Sequence, residues 1–182
     1  MRLFTGLAVP PSFKNDLAKT APLYPQLKWH LPDDLHITLR FLGDVDDALL
    51  PDIQERLARV RVNSFGLEAE GFDMFDKDSG ILYCPVHSTR KLNNLVAEIA
   101  DKVMPLGFDF GTRPYVPHIT LARARNKRDI ADFMKKNRSA LRGSWQADEF
   151  FLYESGGVPE KGLAASKRYE ALSSYPLNKQ FS

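Results

Sequence analysis

The sequence has few of the features that mark a secreted or membrane protein. It has one cysteine, Cys84, among 182 residues, so no internal disulfide can form, which fits a reducing compartment. No apolar run approaches the length needed to cross a membrane. The N-terminal apolar run ends at Pro10-Pro11 and is too short for a signal peptide. We therefore expect a cytoplasmic protein with no membrane partner.

The sequence also has little excess of one sign of charge, since the formal net charge is only +2. This value does not mark a protein that coats nucleic acid, but it tolerates an anionic ligand. Hydrophobic residues make up 43% of the chain and charged residues 26%, which is ordinary for a globular protein. The length suits one compact domain, and we expect a monomer.

The order of predicted elements mixes helices and strands without strict alternation. Residues 89–107 are the clearest helix, with Thr89 as its cap and Gly107 as its stop. Residues 65–75 and 144–155 are each predicted to be one strand. This order favours an α+β fold with largely antiparallel sheet.

One tetrapeptide, His-Ile-Thr-Leu, occurs twice, 82 positions apart. It lies in LHITLRFLG at residues 35–43 and in PHITLARAR at residues 117–125. Each copy is predicted to be a strand that is preceded and followed by a helix. The simplest interpretation is a single domain, residues 1–182, made of two similar lobes that are each built around one of these strands.

The alternation of side chains along a strand determines which residues of each copy lie on the same face. Residues i and i+2 point to the same face, so His36 lies beside Thr38, and His118 beside Thr120. The Ile and Leu residues between them point to the core. Packing alone would need only those apolar positions, so it does not explain a histidine and a threonine on the other face both times.

Two histidines and two threonines around one centre suit acid–base chemistry on a phosphate. Histidine titrates near neutrality, so one imidazole can accept a proton while the other donates one. Threonine hydroxyls can donate hydrogen bonds to phosphate oxygens. No carboxylate or cysteine lies at ligand spacing from either histidine, so the sequence predicts neither a metal nor another cofactor.

The double motif, together with the opening RLFTGLAVP, resembles the 2H phosphoesterase superfamily. It is most similar to the RNA 2′,3′-cyclic phosphodiesterases, historically called 2′-5′ RNA ligases, and the likeness extends from Arg2 to about Tyr169. The resemblance implies two pseudo-symmetric lobes with antiparallel sheets lining a central cleft and helices outside.

The resemblance also implies an activity, which is metal-independent hydrolysis of a 2′,3′-cyclic phosphate end of RNA to a 2′-phosphomonoester. It assigns His36 as proton donor and His118 as proton acceptor, with Thr38 and Thr120 binding the phosphate. The symmetry of the motifs leaves these two histidine roles interchangeable on sequence alone. Three alternatives stay open: 2′-5′ ligation or 2′-5′ phosphodiester cleavage, hydrolysis of a small cyclic nucleotide, and RNA binding without catalysis.

Five further residues are candidate substrate contacts. Arg40 continues the site face of the first strand. Phe41 alternates to the core side of a regular strand, although the superfamily often has an aromatic residue there that lines the site. Tyr115 could stack on a base. Arg123 and Arg125 point away from the cleft unless the strand ends or bulges at Ala122.

Overall fold

The structure, a computed structural model, describes residues 1–75, 80–137, 141–156 and 168–179. Helices within these ranges are α1 (Pro11–Thr20), α2 (Leu50–Leu57), α3 (Arg90–Val103) and α4 (Lys127–Lys136). The strands are β1 (Arg2–Ala8), β2 (Lys28–Trp29), β3 (His36–Asp44), β4 (Phe65–Glu70), β5 (Asp73–Phe75), β6 (Ile81–Pro85), β7 (His118–Arg123), β8 (Arg142–Ala147), β9 (Glu149–Ser155) and β10 (Tyr169–Pro176).

The strands form one large sheet and one small one. The large sheet has eight strands in the order β10-β9-β1-β3-β7-β6-β5, with β2 also paired to β7. The small sheet consists of β4 and β8. Every pairing between these strands is antiparallel, so the predicted α+β class is confirmed.

The two His-Ile-Thr-Leu strands are neighbours at the centre of the large sheet. The other edge of β3 pairs with β1 and that of β7 with β6, while β2 pairs with residues 122–123 of β7 on the same edge as β3. Among the described residues, β3 and β7 share a single Cα pair, Ile37 with Ile119. Each strand therefore belongs mainly to its own group of antiparallel neighbours, and the division of residues 1–182 into two lobes stays a prediction.

Burial along β3 and β7 follows the predicted alternation through both motifs. Ile37, Leu39, Ile119 and Leu121 are buried, whereas the histidines and threonines between them are only half-buried. The apolar positions join the main core, so the same alternation that fixes the core sends the polar side chains to the other face.

Helix α3 has the predicted ends and the predicted buried face. The Thr89 hydroxyl accepts a hydrogen bond from the Leu92 N–H at 3.1 Å. A 3₁₀ turn follows the helix and ends at Gly107, whose φ of 94° is left-handed. Its apolar residues at helical spacing are all buried: Leu92, Leu95, Val96, Ile99 and Val103.

Two predicted strands are each divided in the structure. Residues 65–75 form β4 and β5, which are separated at Gly71, where φ is 78°. Residues 144–155 belong to β8 and β9, and at Asp148 the chain passes from the small sheet to the large one. In both cases the break interrupts the hydrophobic alternation by one residue, since the apolar position after Ala69 is Phe72 and the one after Ala147 is Phe150.

Within the described part of the chain, no helix combines the length and the apolar composition that crossing a membrane would require.

Candidate active site

The two motif histidines are held by the same local hydrogen bond. Nδ1 of His36 lies 2.7 Å from the carbonyl oxygen of Asp34, and Nδ1 of His118 lies 2.8 Å from that of Val116. A carbonyl oxygen only accepts, so Nδ1 must carry the hydrogen in both rings. Nε2 of each ring forms no hydrogen bond within the described residues, which leaves it available to accept or donate a proton.

The strand register brings the four polar side chains together. Because β3 and β7 are antiparallel and Ile37 pairs with Ile119, His36 is opposite Thr120 and His118 is opposite Thr38. All four lie on the face away from the buried Ile and Leu residues. The register therefore places two imidazoles and two hydroxyls on one patch of the sheet.

Aromatic rings surround His36. The ring centroids of Phe4 and Tyr169 both lie 4.7 Å from the His36 centroid, and that of Tyr153 lies 6.0 Å away. These rings come from β1, β9 and β10. They were not singled out in the sequence, because only the strand order brings them beside β3.

His118 has a smaller aromatic environment of the same kind. Phe75 and Tyr83, from β5 and β6, have ring centroids 4.9 Å and 5.5 Å from the His118 ring, and both are edge-on to it. The Tyr83 hydroxyl donates a hydrogen bond to the Asp73 carboxylate at 3.0 Å. These residues too were missed in the sequence, since their proximity depends on sheet pairing.

Burial makes both imidazoles harder to protonate. The pKa of His36 is lowered to about 4, chiefly by desolvation; the Asp34 carbonyl works in the opposite direction, and the nearby charge of protonated His118 adds to the lowering. Desolvation also lowers the pKa of His118, against the opposing effect of the Val116 carbonyl. Each ring is therefore mainly neutral at pH 7 when no anion is bound.

An irregularity follows the motif at the same position in both strands. Thr38 and Arg40 pair with consecutive residues of β1, and Thr120 and Ala122 with consecutive residues of β6. Leu39 and Leu121 are thus extra residues, each three positions after its histidine. Such a bulge reverses the alternation beyond it.

The bulges decide the outcome for Phe41 and Arg123, which each lie five residues after a histidine. Phe41 is 63% exposed, and its ring is 5.7 Å from that of Phe4, so the prediction of a core position is wrong. Arg123 is exposed, and the shift at Leu121 returns it to the face of Thr120. The prediction that Arg123 points away from the cleft assumes a regular strand, and the bulge at Leu121 interrupts that regularity. That either residue contacts a substrate stays a prediction.

Arg40 and Tyr115 connect β3 to the segment that precedes β7. The Tyr115 hydroxyl donates a hydrogen bond to the Thr38 carbonyl oxygen at 2.9 Å. The Arg40 guanidinium carbon lies 4.9 Å from the Phe110 ring centroid, and its Nε donates to the Val96 carbonyl at 3.4 Å. The Tyr115 hydroxyl therefore links β3 to the segment that leads into β7. The predicted stacking of Tyr115 on a base stays untested.

A groove of about 540 Å³ opens beside the paired motifs. We call it the β3 groove, and its principal lining residues are Thr38, Arg40, Phe41, Phe110, Arg113 and His118. Arg125, by contrast, lies beyond the end of β7 and is exposed. The structure brings Arg40, Phe41 and Tyr115 to the groove and does not bring Arg125 to it.

A third histidine, His30, lies behind the site. Burial lowers its pKa to about 4, as do the nearby charges of Arg168, Arg123 and protonated His36. Its Nε2 is buried and has no hydrogen-bond partner among the described residues. In the described ranges there is also no group of three or more His, Cys, Asp or Glu side chains that could hold a metal ion.

Comparisons with known proteins identify the family. The chain matches the family model of the 2′-5′ RNA ligase superfamily over residues 9–159. A relative from Archaeoglobus fulgidus, named RNA 2′,3′-cyclic phosphodiesterase, is 30% identical over 169 residues, which cover 88% of this chain and 94% of that protein. The chain therefore belongs to the 2′-5′ RNA ligase superfamily, and its resemblance to the 2H phosphoesterases is confirmed.

Solved structures agree with this fold. E. coli LigT in its apo form is similar with a TM-score of 0.79 at 23% identity, covering 97% of both chains. The same protein complexed with 3′-AMP is similar with a TM-score of 0.75 at 23% identity, covering 97% of this chain and 96% of that one.

Proposed function

We propose that this protein is an RNA 2′,3′-cyclic phosphodiesterase that produces a 2′-phosphomonoester. The observation that carries the proposal is the pair of imidazoles anchored through Nδ1, each with a motif threonine opposite it on the neighbouring strand. Curated relatives named RNA 2′,3′-cyclic phosphodiesterase support a hydrolase of this superfamily. LigT complexed with 3′-AMP supports a nucleotide as the ligand class.

The proposed reaction needs one proton taken and one proton given. Nε2 of His118 takes a proton from water as the water oxygen attacks phosphorus. The bond from phosphorus to the 3′-oxygen breaks, and Nε2 of protonated His36 donates a proton to that oxygen. The phosphate remains on the 2′-oxygen. Thr38 and Thr120 donate hydrogen bonds to the non-bridging oxygens, where negative charge increases in the transition state.

The substrate itself has to supply part of the electrostatics. Since burial lowers the pKa of His36 to about 4, its protonated form is disfavoured in the free enzyme. A bound phosphodiester anion would raise the pKa of both rings, because it favours an adjacent positive charge. Binding would therefore generate the protonated His36 that the reaction requires.

The same four residues would serve 2′-5′ ligation, and one observation favours this second candidate. The family model that the chain matches is described by the name 2′-5′ RNA ligase superfamily. Ligation is the reverse of 2′-5′ phosphodiester cleavage, so it needs the same acid and base. A small cyclic nucleotide as substrate, or RNA binding without turnover, stays an alternative that the experiment below separates.

The test is an assay with an oligonucleotide that ends in a 2′,3′-cyclic phosphate. We expect hydrolysis in the presence of EDTA, because the acid, the base and the hydroxyl donors all come from the protein, and we expect a 2′-phosphate product. Resolving 2′- from 3′-phosphate identifies the bond that breaks, and an oligonucleotide with a 5′-hydroxyl added as acceptor detects ligation. An RNA that binds but is not turned over would contradict the proposal, as would activity lost in EDTA and restored by a divalent ion.

A further inference from the structure

The β3 groove holds more positive charge than the reaction at the histidines requires. Arg40 and Arg113 both line it, and neither forms an ion pair with a carboxylate among the described residues. A 2′,3′-cyclic mononucleotide has one phosphate, which the proposed function places at the motif histidines and threonines. Arg40 already contacts the Val96 carbonyl and the Phe110 ring, so the Arg113 guanidinium is the one left for a second anionic group.

The groove also holds more aromatic surface than one base can cover. Phe41, which is 63% exposed, and Phe110 both line it. The Phe4 ring neighbours both Phe41 and His36, which places Phe41 on the His36 side of the groove. Phe110 lies on the other wall, under the Arg40 guanidinium. An Arg–Phe pair at the side of a groove suits a stacked base whose backbone phosphate lies nearby.

We propose that the β3 groove, through Phe110 and Arg113, binds the nucleotide on the 5′ side of the one that carries the cyclic phosphate. The inference rests on the proposed function and adds to it a second nucleotide subsite, which would favour an oligonucleotide over a free cyclic mononucleotide. Phe110 stacks on the penultimate base. Arg113, which is exposed at the open side of the groove, contacts the phosphate that joins the two nucleotides.

One carboxylate in the groove is compatible with this assignment. Asp109 also lines it, but its Oδ1 accepts a hydrogen bond from the Gly111 N–H at 2.8 Å. Gly111 has a left-handed φ of 61°, so the carboxylate caps the turn that presents Phe110 and Arg113. Asp109 therefore stabilises the turn that forms this wall of the β3 groove.

The test compares two substrates, a 2′,3′-cyclic mononucleotide and a dinucleotide with the same terminal nucleoside and the same cyclic end. The measured quantity is the ratio of their kcat/KM values, dinucleotide over mononucleotide. We expect this ratio to exceed one in the wild type and to fall roughly 5- to 100-fold in Phe110→Leu, which keeps an apolar side chain but cannot stack. Arg113→Gln should lower it as well, with a dependence on salt that is weaker by about 0.7 in the logarithmic slope.

Arg59→Gln is the matched control, because it removes the same charge from an arginine that pairs with Glu55 on α2. It should leave the ratio unchanged. Equal losses on both substrates in Phe110→Leu would mean that the groove holds the terminal nucleotide, and no loss on either substrate would mean that it holds none. Either result overturns the inference while the proposed function stands, whereas a wild type that hydrolyses neither substrate contradicts the function itself.

Discussion

His36 and His118 share an anchor and differ in their surroundings. Both donate from Nδ1 to the carbonyl oxygen two residues earlier. Three aromatic rings contact or approach His36, and two contact His118. The anchors are equivalent, so the roles of acid and base must come from the surroundings and from the position of the substrate.

A change of leaving group separates the two roles. A general acid matters little when the leaving group is a weak base, because that oxygen needs no proton to depart. We expect His36→Ala to lose about 10²- to 10⁴-fold in kcat on a 2′,3′-cyclic phosphate but far less on a phosphodiester with a nitrophenolate leaving group. His118→Ala should lose activity on both substrates. The opposite pattern would exchange the two assignments, and near-wild-type rates in either variant would contradict the two-histidine mechanism.

The pH dependence tests the lowered pKa values. The reactive enzyme has one imidazole protonated and one neutral, so kcat/KM should follow a bell. Burial lowers the pKa of both rings, which places the maximum of kcat/KM below pH 6.5, the ordinary histidine value. Bound phosphate raises both pKa values, so the maximum of kcat should lie at higher pH. Rate measurements from pH 4 to 9 give both profiles, and coincident maxima above pH 7 would be inconsistent with buried, desolvated imidazoles.

At the scale of elements, the site depends on how two strands are joined. Among the described residues β3 and β7 share one Cα pair, and the Tyr115 hydroxyl adds a hydrogen bond to Thr38 beside that pair. A change of about 1 Å between reacting groups can cost about 10²-fold in rate. Tyr115 is therefore a positioning residue, acting through the relative placement of the two motifs.

Removing the Tyr115 hydroxyl should lower kcat more than it changes KM. In Tyr115→Phe we expect kcat to fall about tenfold, since the strands lose one of their few direct links, with only a small decrease in melting temperature. Tyr175→Phe is a suitable control because the Tyr175 ring lies on β10, where it stacks on Phe150, and it contacts neither motif strand through its hydroxyl among the described residues. Steady-state kinetics and thermal unfolding of both variants measure kcat, KM and the melting temperature. An unchanged kcat in Tyr115→Phe would contradict a positioning role for Tyr115.

The sequence predicts the motif strands well because their alternation is local. The polar motif residues lie on one face of the sheet, and their apolar neighbours lie on the core face, as strand geometry requires. These polar residues are His36, Thr38, His118 and Thr120. The bulges at Leu39 and Leu121 are not local, since they are defined by the pairing of β3 with β1 and of β7 with β6. For this reason strand alternation alone could not predict the exposure of Phe41 or the aromatic rings beside each histidine.

At the scale of the whole molecule, the buried histidines couple the site to stability. His30 and His36 both have a pKa lowered to about 4, chiefly by burial, and the nearby charge of protonated His36 adds to the lowering at His30. Above pH 6.5 they are neutral in the folded and the unfolded chain, so they do not affect the unfolding free energy there. As pH falls from 6.5 to about 4, the unfolded chain binds protons that the folded chain does not, and stability decreases.

We therefore expect the free energy of unfolding to fall on acidification well before carboxylates titrate. For His36 alone the decrease should be on the order of 2 kcal/mol between pH 7 and pH 5. His36→Asn, which keeps a side-chain donor for the Asp34 carbonyl but cannot titrate, should abolish this part of the decrease. His87→Asn is the control, because it removes a titratable imidazole from an exposed position beside Glu68. Urea unfolding at pH 7 and pH 5 measures the difference, and a His36→Asn variant that loses as much stability as the wild type would show that His36 is not desolvated in the fold.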